Sequence, residues 1–437
     1  MSLPILKGAA DWSQVLLARA AEGEVKDLEA AEAAGAWEAF RKATAELSPE
    51  VVLHTITESG LRGRGGAAYP TGAKWRDCVT QPDAVHYVVA NGFESDPGAQ
   101  VDRTLMELDP HAVVEGTAIA AWVVGAVTAI IAVSSAAPVA AERLRTAVEE
   151  AEERGYIGRA ADGPSLEIEV REVTGSFLVG EETVLLRALE GKRAQPDQRP
   201  PYPSRSGLWG KPTVVNNIKT LAAVPWIVAH GAGAYTSLGS AETPGTTLVQ
   251  LGGAVAKPGI MEVPLNATLR EVLKAGKAGD FKAVLVGGPT GGFLPAEALG
   301  ATIDGEALKE AGVVAGSSTL LTLDQGACLV DVATLMTRYL SDNASGKTIP
   351  ERIGIRRLAE LGAGFCSGHA RPSDPELVTT LAADIRDAGL SGLEAGAGNP
   401  LLTVMRYFAP EFEAHTQRGE CPAGVCRPIS LAGAATS

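Results

Sequence analysis

The spacing of apolar positions changes several times along the chain. Through about residue 50, Ala and Glu dominate, with Trp12, Val15, Leu16 and Leu28 as packing positions, which predicts an N-terminal helical segment over 1–50. From 51 to about 240, helical spacing alternates with short apolar runs such as His86–Ala90 and Ala126–Val133. That alternation predicts an α/β domain on a mostly parallel sheet. Gly116–Ala141 carries no charge and is long enough to span a bilayer. It is rich in Ala, Gly, Ser and Thr and punctuated by Gly125 and Pro138, so a core helix followed by a core strand is the better reading. Between 241 and 332 the runs Thr247–Gly252, Gly259–Val263 and Ala283–Val286 predict strands around one helix at Leu269–Ala275, a β-grasp-like pattern. From 333 to 437 the pattern is helical, with a Gly-rich break at Gly392–Gly398. Arg193–Ser206, rich in Pro and Arg, predicts an irregular surface loop.

Composition narrows the classes. A chain of 437 residues is too long for one ordinary core, and 46% hydrophobic with 21% charged residues is ordinary for a globular protein. The formal net charge of −14 argues against nucleic acid as a partner, since such binding needs a basic footprint. Five scattered cysteines do not form a secreted disulfide framework, and no basic stretch followed by an apolar run opens the chain. The expectation is a cytoplasmic protein with no membrane insertion.

The densest local chemistry lies in GLRGRGGAAYPTGAKW, Gly60 to Trp75. Successive glycines let backbone N–H groups converge on an anion. Arg64 and Lys74 can add charge against phosphate, and Tyr69 offers a flat face. The spacing fits neither the Rossmann fingerprint nor a Walker A loop, and composition alone leaves a glycine-rich turn as the alternative.

Further blocks follow in order: NGFESDPGAQVDRTLMELDPHAVVEG (Asn91–Gly116), GSFLVGEETVLLRALEGKR (Gly175–Arg193) and PPYPSRSGLWGKPTVVNNIKT (Pro200–Thr220). With the glycine loop they resemble the NADH-binding FMN flavoprotein subunit of respiratory complex I, whose relatives occur in NAD-linked hydrogenases and formate dehydrogenases. The resemblance runs from about residue 45 to 426. It implies a flavin-binding Rossmann-like α/β domain, then a small β-grasp domain of the SLBB type, then a C-terminal helical bundle.

It also implies residue roles. Gly63, Arg64, Gly65, Gly66 and Lys74 match the loop around the FMN phosphate and ribityl chain. Asn91 and Glu94 match a flavin-contacting Asn and its neighbouring Glu, and Phe177 stands for a Tyr beside the flavin. Gly180, Glu181 and Glu182 match the segment that approaches flavin and nicotinamide. Glu94, Glu181 and Glu182 are thus the candidate catalytic carboxylates. Asn216, Asn217 and Thr220 match the group bordering the FMN phosphate. Tyr69 and Tyr202 match two phenylalanines that flank the adenine of NADH, and Lys192 falls near the cofactor. The implied chemistry is hydride transfer from NADH to FMN, for which the protein supplies orientation and electrostatics.

The sequence departs from the pattern in two places. The family's C-x2-C-x2-C run, with a distant fourth Cys, binds a [4Fe–4S] cluster. The matching stretch here is NASGKTIPERIG, which puts Ser345, Thr348 and Glu351 at the cysteine positions, and SGLEAGAG (Ser391–Gly398) has no Cys either. Hydroxyls and a carboxylate replace thiolates poorly, so no [4Fe–4S] cluster and no metal ligands are expected. Cys366 and His369, and Cys421 and Cys426, form two pairs too far apart in sequence to predict one site. Cys78 and Cys328 read as core residues. The CPAGVC segment resembles the tail of relatives that continue into a ferredoxin domain. Near the flavin, Phe93 stands for an Asp, Asp96 for a Glu, and Asp77 for an aromatic ring that helps hold NADH.

The expected function is an FMN-dependent oxidoreductase that takes hydride from NADH and passes electrons to a redox partner protein or small acceptor without its own cluster. The alternatives are a structural FMN-binding subunit of a redox complex or oligomer, and a flavoenzyme that no longer uses NADH.

Overall fold

The computed structural model of the chain describes residues 3–20, 23–25, 27–158 and 165–426. The end of the expected C-terminal helical stretch, 427–437, lies outside the described residues, as do residues 1, 2, 21, 22 and 26 of the expected N-terminal helical segment. The fold is mixed α/β, in two compact units: Met1–Gln250 with Gly259–Ala267, and Leu251–Pro258 with Thr268–Ser437.

Among the described residues, the first unit carries no helix before Leu28. Helices begin at α1 (Leu28–Ala33) and continue as α2 (Glu38–Glu46), α3 (Pro49–Glu58) and α4 (Thr71–Val79). The expectation of helix from residue 1 is therefore corrected. The Glu262 carboxylate accepts the backbone N–H groups of Val15, Leu16 and Leu17 at 2.8–2.9 Å, which holds these residues as a strap. Val15, Leu16 and Leu28 are buried as the pattern predicts.

Strand β1 (Tyr87–Gly92) leads through α5 (Val101–Leu108) and α6 (Pro110–Val124) to β2 (Thr128–Ser134), then through α7 (Pro138–Glu153) to β3 (Glu167–Val173). After α8 (Glu182–Leu189) comes β4 (Thr213–Asn217), then α9 (Ile218–His230) and α10 (Ala232–Thr236). The charge-free stretch is thus a buried helix and a buried strand, as expected. Among the described residues no helix is long and apolar enough to cross a membrane. Gly116 lets α6 cross α9 closely: a Cβ there would collide with the Leu221 carbonyl.

The four strands form one parallel sheet in the order β3-β2-β1-β4. The chain builds β1, β2 and β3 outward in one direction, then returns to place β4 on the other side of β1. Strand order therefore reverses between β1 and β4. In open parallel sheets a crevice opens at the C-terminal strand ends at such a point, and ligands bind there. Asn91 and Asn217 are register partners at those ends.

Strands β5 (Thr246–Gly253) and β6 (Gly259–Pro264) follow in sequence. In the second unit, α11 (Leu269–Ala275) is closed by a capping box in which Thr268 and Glu271 satisfy each other's backbone N–H. Strand β7 (Ala283–Val286) pairs antiparallel with both β8 (Gly292–Leu294) and β9 (Thr319–Leu323), and α12 (Gly305–Glu310) lies between those two in sequence. The rest is helical: α13 (Leu329–Asn343), α14 (Arg356–Cys366), α15 (Asp374–Ala388), α16 (Gly392–Gly396), α17 (Asn399–Tyr407) and α18 (Ala409–Glu413). The expected break at Gly392–Gly398 is instead a short helix, because Ser391 and Glu394 form a second capping box that offsets the glycines.

Candidate functional site

The glycine loop closes on itself. Gly63 N–H donates to the Tyr69 carbonyl and Thr71 N–H to that of Leu61, both at 2.9 Å. Within the loop, the N–H groups of Gly65, Gly66 and Ala67 make no hydrogen bond among the described residues. A Cβ on Gly65 would stand 3.1 Å from the Asn217 Cβ, so glycine keeps the loop against the strand end. Exposed, unpaired amides on a loop beside a switch point are the donors an anion needs.

The side chain of Arg64 is not among those donors. It is buried and spends its guanidinium on the Thr246 and Pro244 carbonyls and the Tyr235 hydroxyl at 2.8–3.0 Å. Its backbone N–H donates to Thr220 Oγ1 at 2.8 Å. Arg64 and Thr220 thus brace the loop from behind. Lys74 on α4 reaches Glu182 and the Val215 carbonyl, each at 2.9 Å. Trp75 donates to Asn216 Oδ1 at 2.8 Å.

At the strand ends, Asn91 Nδ2 donates to the Gly180 carbonyl at 3.0 Å, tying β1 to the turn that carries Phe177. Asn217 caps α9 and donates to Asp102 at 2.5 Å. Asp102 and Lys219 form a buried ion pair at 2.6 Å. Glu94 accepts the N–H groups of Asp102 and Arg103 at 2.9 and 3.2 Å. Burial, with the nearby Asp102 charge, pushes the Glu94 carboxyl up to about 7.

Glu181 caps α8 through the N–H groups of Thr183 and Val184. Its Oε1 is buried without a hydrogen bond, 3.4 Å from the Arg199 guanidinium, and burial raises its pKa. Glu182 lies between Lys74 and Arg199, at 2.9 and 3.2 Å. A line of alternating charge thus runs along this edge of the crevice. Tyr69 and Tyr202 present exposed rings. Lys192 instead pairs with Glu190 at 2.7 Å beyond the end of α8. Phe93 is buried, and Asp77 is held by Ser204 at 2.6 Å and Arg205 at 2.9 Å, contacts that keep its carboxyl below the usual range. Loop, strand ends, Glu181–Glu182 and Lys74 are brought together; Lys192 and the Arg64 guanidinium are turned to other partners.

A second constellation lies within the second unit. Cys328 caps α13, and its Sγ is 3.3 Å from His415 Nε2 and 3.6 Å from Cys426 Sγ. With Cys421, these ligand atoms all lie within 4.8 Å of one another. Cys426 also belongs to a neighbouring group with Cys366 and Asp331. The His415 Nδ1 bonds to the Glu411 carbonyl at 2.9 Å, which makes Nδ1 the protonated nitrogen and leaves Nε2 to face the thiols. Burial pushes Cys328 up to about 12, and burial with the neighbouring sulfurs raises Cys426. Burial also works against a Cys421 thiolate, but the Cys426 and Val425 N–H groups more than offset it and bring that thiol down to about 7. Crowded thiols that hold one another protonated are ones a bound cation would ionise. Cys78, by contrast, is fully buried in the first unit.

The positions aligned with the family's cysteines are otherwise occupied. Glu351, fully buried, accepts from Ser345 N–H and Oγ–H and from Lys347 N–H at 2.6–3.0 Å. Thr348 donates to Glu394 at 2.7 Å, and the Glu394 carboxylate also takes the Leu390 and Ser391 N–H groups. These oxygens are saturated by each other and do not fit a cluster.

The first unit defines a class: an α/β protein with a glycine loop of unpaired amides at the switch point of a parallel sheet. Similarity to known proteins gives the family. Residues 56–226 match the Nuo51 FMN-binding domain, and residues 331–415 match the NADH-ubiquinone oxidoreductase-F iron-sulfur binding region. The chain is 39% identical over 392 residues to the NADP-reducing hydrogenase subunit HndC of Solidesulfovibrio fructosivorans, covering 88% of this chain and 79% of that one. It is 35% identical to an NADH-quinone oxidoreductase F subunit of Rhizobium meliloti, covering 90% and 94%. A solved NAD+-reducing [NiFe]-hydrogenase in the H2-reduced state is similar with a TM-score of 0.83 at 30% identity, over 99% of this chain and 70% of that one. The chain belongs to the family of NADH-quinone oxidoreductase F subunits and is an NADH dehydrogenase-like oxidoreductase.

The expectation of no [4Fe–4S] cluster, and of electron transfer without a relay, is overturned. The iron-sulfur region is matched, and a Cys/His group able to hold metal stands beside it. Cys328, Cys421 and Cys426 flank the matched segment, and His415 closes it. Two pairs too distant in sequence to predict one site meet at Cys426, which shares one group with Cys421 and another with Cys366, whereas His369 turns to Ser367. Neither C-x2-H nor C-x4-C spacing carries that signal; the helical packing does.

Proposed function

We propose that the chain binds FMN at the switch point between β1 and β4 and uses it to oxidise NADH, as a subunit of a larger redox assembly. The observation that carries this reading is the set of unpaired Gly65, Gly66 and Ala67 amides beside Asn217 and Asn91. FMN, when bound, supplies a hydride acceptor, and an iron–sulfur centre supplies a one-electron carrier.

The chain's own residues do the rest. The loop amides hold the phosphate, with Gly63 and Thr220 keeping the loop shape. Asn91, Asn216 and Asn217 fix the strand ends. Glu181 and Glu182, tethered by Arg199 and Lys74, offer carboxylates to the hydroxyls of a ribose. That favours NADH over NADPH. Tyr69 and Tyr202 offer stacking faces, Phe177 and Gly180 line the flavin side, and Glu94 holds a proton near neutral pH. The Cys/His group of the second unit stands beside the matched iron–sulfur region and can hold metal. A division into segments 1–50, 51–240, 241–332 and 333–437, with a β-grasp in the third and a helical bundle in the fourth, fits the element order.

A second reading is favoured by Asp77 and Phe93: a flavoprotein that does not take nicotinamide. Asp77 presents a carboxylate occupied by Arg205 where a ring is expected. Anaerobic titration decides. Bleaching of the bound flavin by NADH at lower concentration than by NADPH supports the first reading; flavin that stays oxidised with both supports the second.

A further inference from the structure

We propose that Cys328, His415, Cys421 and Cys426 bind one zinc ion, through three thiolates and one imidazole in a closed tetrahedral site. The flavin reading plays no part in this, since all four residues belong to the second unit.

The distances select a single ion. With zinc–sulfur bonds of about 2.3 Å and zinc–nitrogen bonds of about 2.0 Å, the ligand atoms of a tetrahedral site stand roughly 3.5–3.8 Å apart. Here Cys328 Sγ lies 3.3 Å from His415 Nε2 and 3.6 Å from Cys426 Sγ. All four ligand atoms fall within 4.8 Å of one another, so small side-chain adjustments close them on one ion. A cluster spreads its cysteines over several irons and needs a wider cage than this one. The donor set agrees with the distances. Three sulfurs and one imidazole nitrogen are a structural zinc set, and four protein ligands leave no open position for a substrate. Three of the four also lie outside residues 331–415, the segment matched to the iron-sulfur binding region, and His415 is its last residue.

The surroundings hold each donor in place. Cys328 is the N-cap of α13, and its Sγ accepts the Asp331 N–H at 3.4 Å. His415 sits in the helical turn Ala414–Arg418 and donates its Nδ1–H to the Glu411 carbonyl at 2.9 Å, since a carbonyl can only accept. Its Nε2 lone pair is left for the metal. The Glu411 carboxylate takes the Leu329 N–H at 3.0 Å and pairs with Lys282 at 2.8 Å, and Lys282 reaches the Ala327 carbonyl at 2.7 Å. That network ties the chain one turn before His415 to the residues on either side of Cys328. Gly419, at φ +64°, ends the His415 turn, and Gly424, at φ +67°, closes a second turn by donating to the Cys421 carbonyl at 2.9 Å. The second turn sets the Cys426 N–H on Cys421 Sγ at 3.4 Å. Backbone N–H groups thus face two of the three sulfurs, and such bonds offset the negative charge of metal-bound thiolates.

Zinc binding replaces three S–H bonds by three zinc–sulfur bonds, and the protons leave to solvent. His415 keeps its Nδ1 proton throughout. Zinc has no redox chemistry of its own, so the ion fastens residues 421–426 to the start of α13 and carries no electrons. Cys366 and Asp331 meet the site only through Cys426 and are not ligands.

The test uses the full chain, as wild type and as Cys421→Ser, Cys426→Ser and Cys366→Ala variants. Zinc, iron and acid-labile sulfide are measured per chain, and circular dichroism shows that each variant is folded. Wild type and Cys366→Ala should hold about one zinc per chain, and both serine variants should lose most of it. A second measurement does not depend on any variant folding. Cobalt(II) is exchanged into the wild type, where a tetrahedral thiolate site gives intense visible bands and sulfur-to-metal charge transfer in the near ultraviolet. Those bands should saturate at about one cobalt per chain. Wild type with neither zinc nor the cobalt bands overturns the site, as do folded serine variants that keep wild-type zinc. Iron with matching sulfide, lost together with Cys421 and Cys426 in place of zinc, also overturns it. A folded Cys366→Ala protein that loses zinc as fully as Cys421→Ser overturns the assignment of His415 as the fourth ligand.

Discussion

The flavin crevice and the metal group are built from the same chain by opposite means. The crevice is assembled from contiguous stretches whose backbone does the recognition: loop amides, two strand ends and a helix cap. The metal group is assembled from four side chains, Cys328, His415, Cys421 and Cys426, distant in sequence and collected by packing. A backbone site needs specific residues at fixed spacing, because glycine is required wherever another chain segment approaches. A thiolate site needs only that sulfurs meet, and any pair of packed helices can arrange that. One site is therefore legible as a contiguous motif, while the other is not.

The largest effect should come from blocking the backbone site. Gly65→Val would put a branched side chain against Asn217 and across the loop amides. Loss of essentially all FMN, by absorbance of the purified protein, is expected. A fully yellow Gly65→Val protein would show that the loop does not face the phosphate.

The metal group should fail next, and only through its own residues. Cys328→Ala and Cys421→Ala are each expected to remove most of the bound metal. Ser345→Ala, at a family-aligned cysteine position, should leave metal content unchanged because its hydroxyl already serves Glu351. If Ser345→Ala strips the metal and Cys421→Ala does not, the centre lies at the aligned positions and the contrast between the two regions disappears.

The uneven legibility of the sequence has the same cause. Helix α11 falls on the predicted Leu269–Ala275, and β5, β6 and β7 lie within a residue of prediction, since local pattern decides them. Asn91, Asn217 and Glu182 can be placed because a contiguous motif carries each. The N-terminal strap cannot be foreseen, because a carboxylate some 245 residues away takes its backbone N–H groups. Nor can the turning of Arg64 toward Tyr235, or the meeting of Cys366 with Cys426, since both depend on tertiary packing. Strands β8 and β9 escape prediction because one is three residues long and the other alternates only weakly.

The saturated network at the aligned positions gives a smaller effect, on stability alone. Glu394 is buried and accepts from Thr348 and from two backbone N–H groups. Glu394→Ala would strand those donors and remove the cap of α16, at a cost of about 2–4 kcal/mol. Denaturant unfolding should show the loss while FMN content is retained. A loss under about 0.5 kcal/mol, the level of an ordinary surface change, would mean that water replaces the carboxylate freely.

The smallest effect belongs to the crevice and concerns pH. Burial and the Asp102 charge hold the Glu94 carboxyl at about 7, against 4.5 for an ordinary Glu. The folded chain therefore binds a proton at pH values where the unfolded chain has released it. Stability from this group is fully present below the unfolded value and is lost as pH rises through about 7. Lys219 and the N–H groups of Asp102 and Arg103 oppose the shift, so the loss should be on the order of 1–3 kcal/mol. Glu94→Gln keeps an oxygen for one of the two N–H groups but cannot ionise. Its midpoint of thermal unfolding should thus fall less than the wild type's between about pH 5 and 8. Parallel curves for the two proteins would mean that Glu94 is ionised throughout, held by Lys219 and the start of α5 rather than poised to carry a proton beside the flavin.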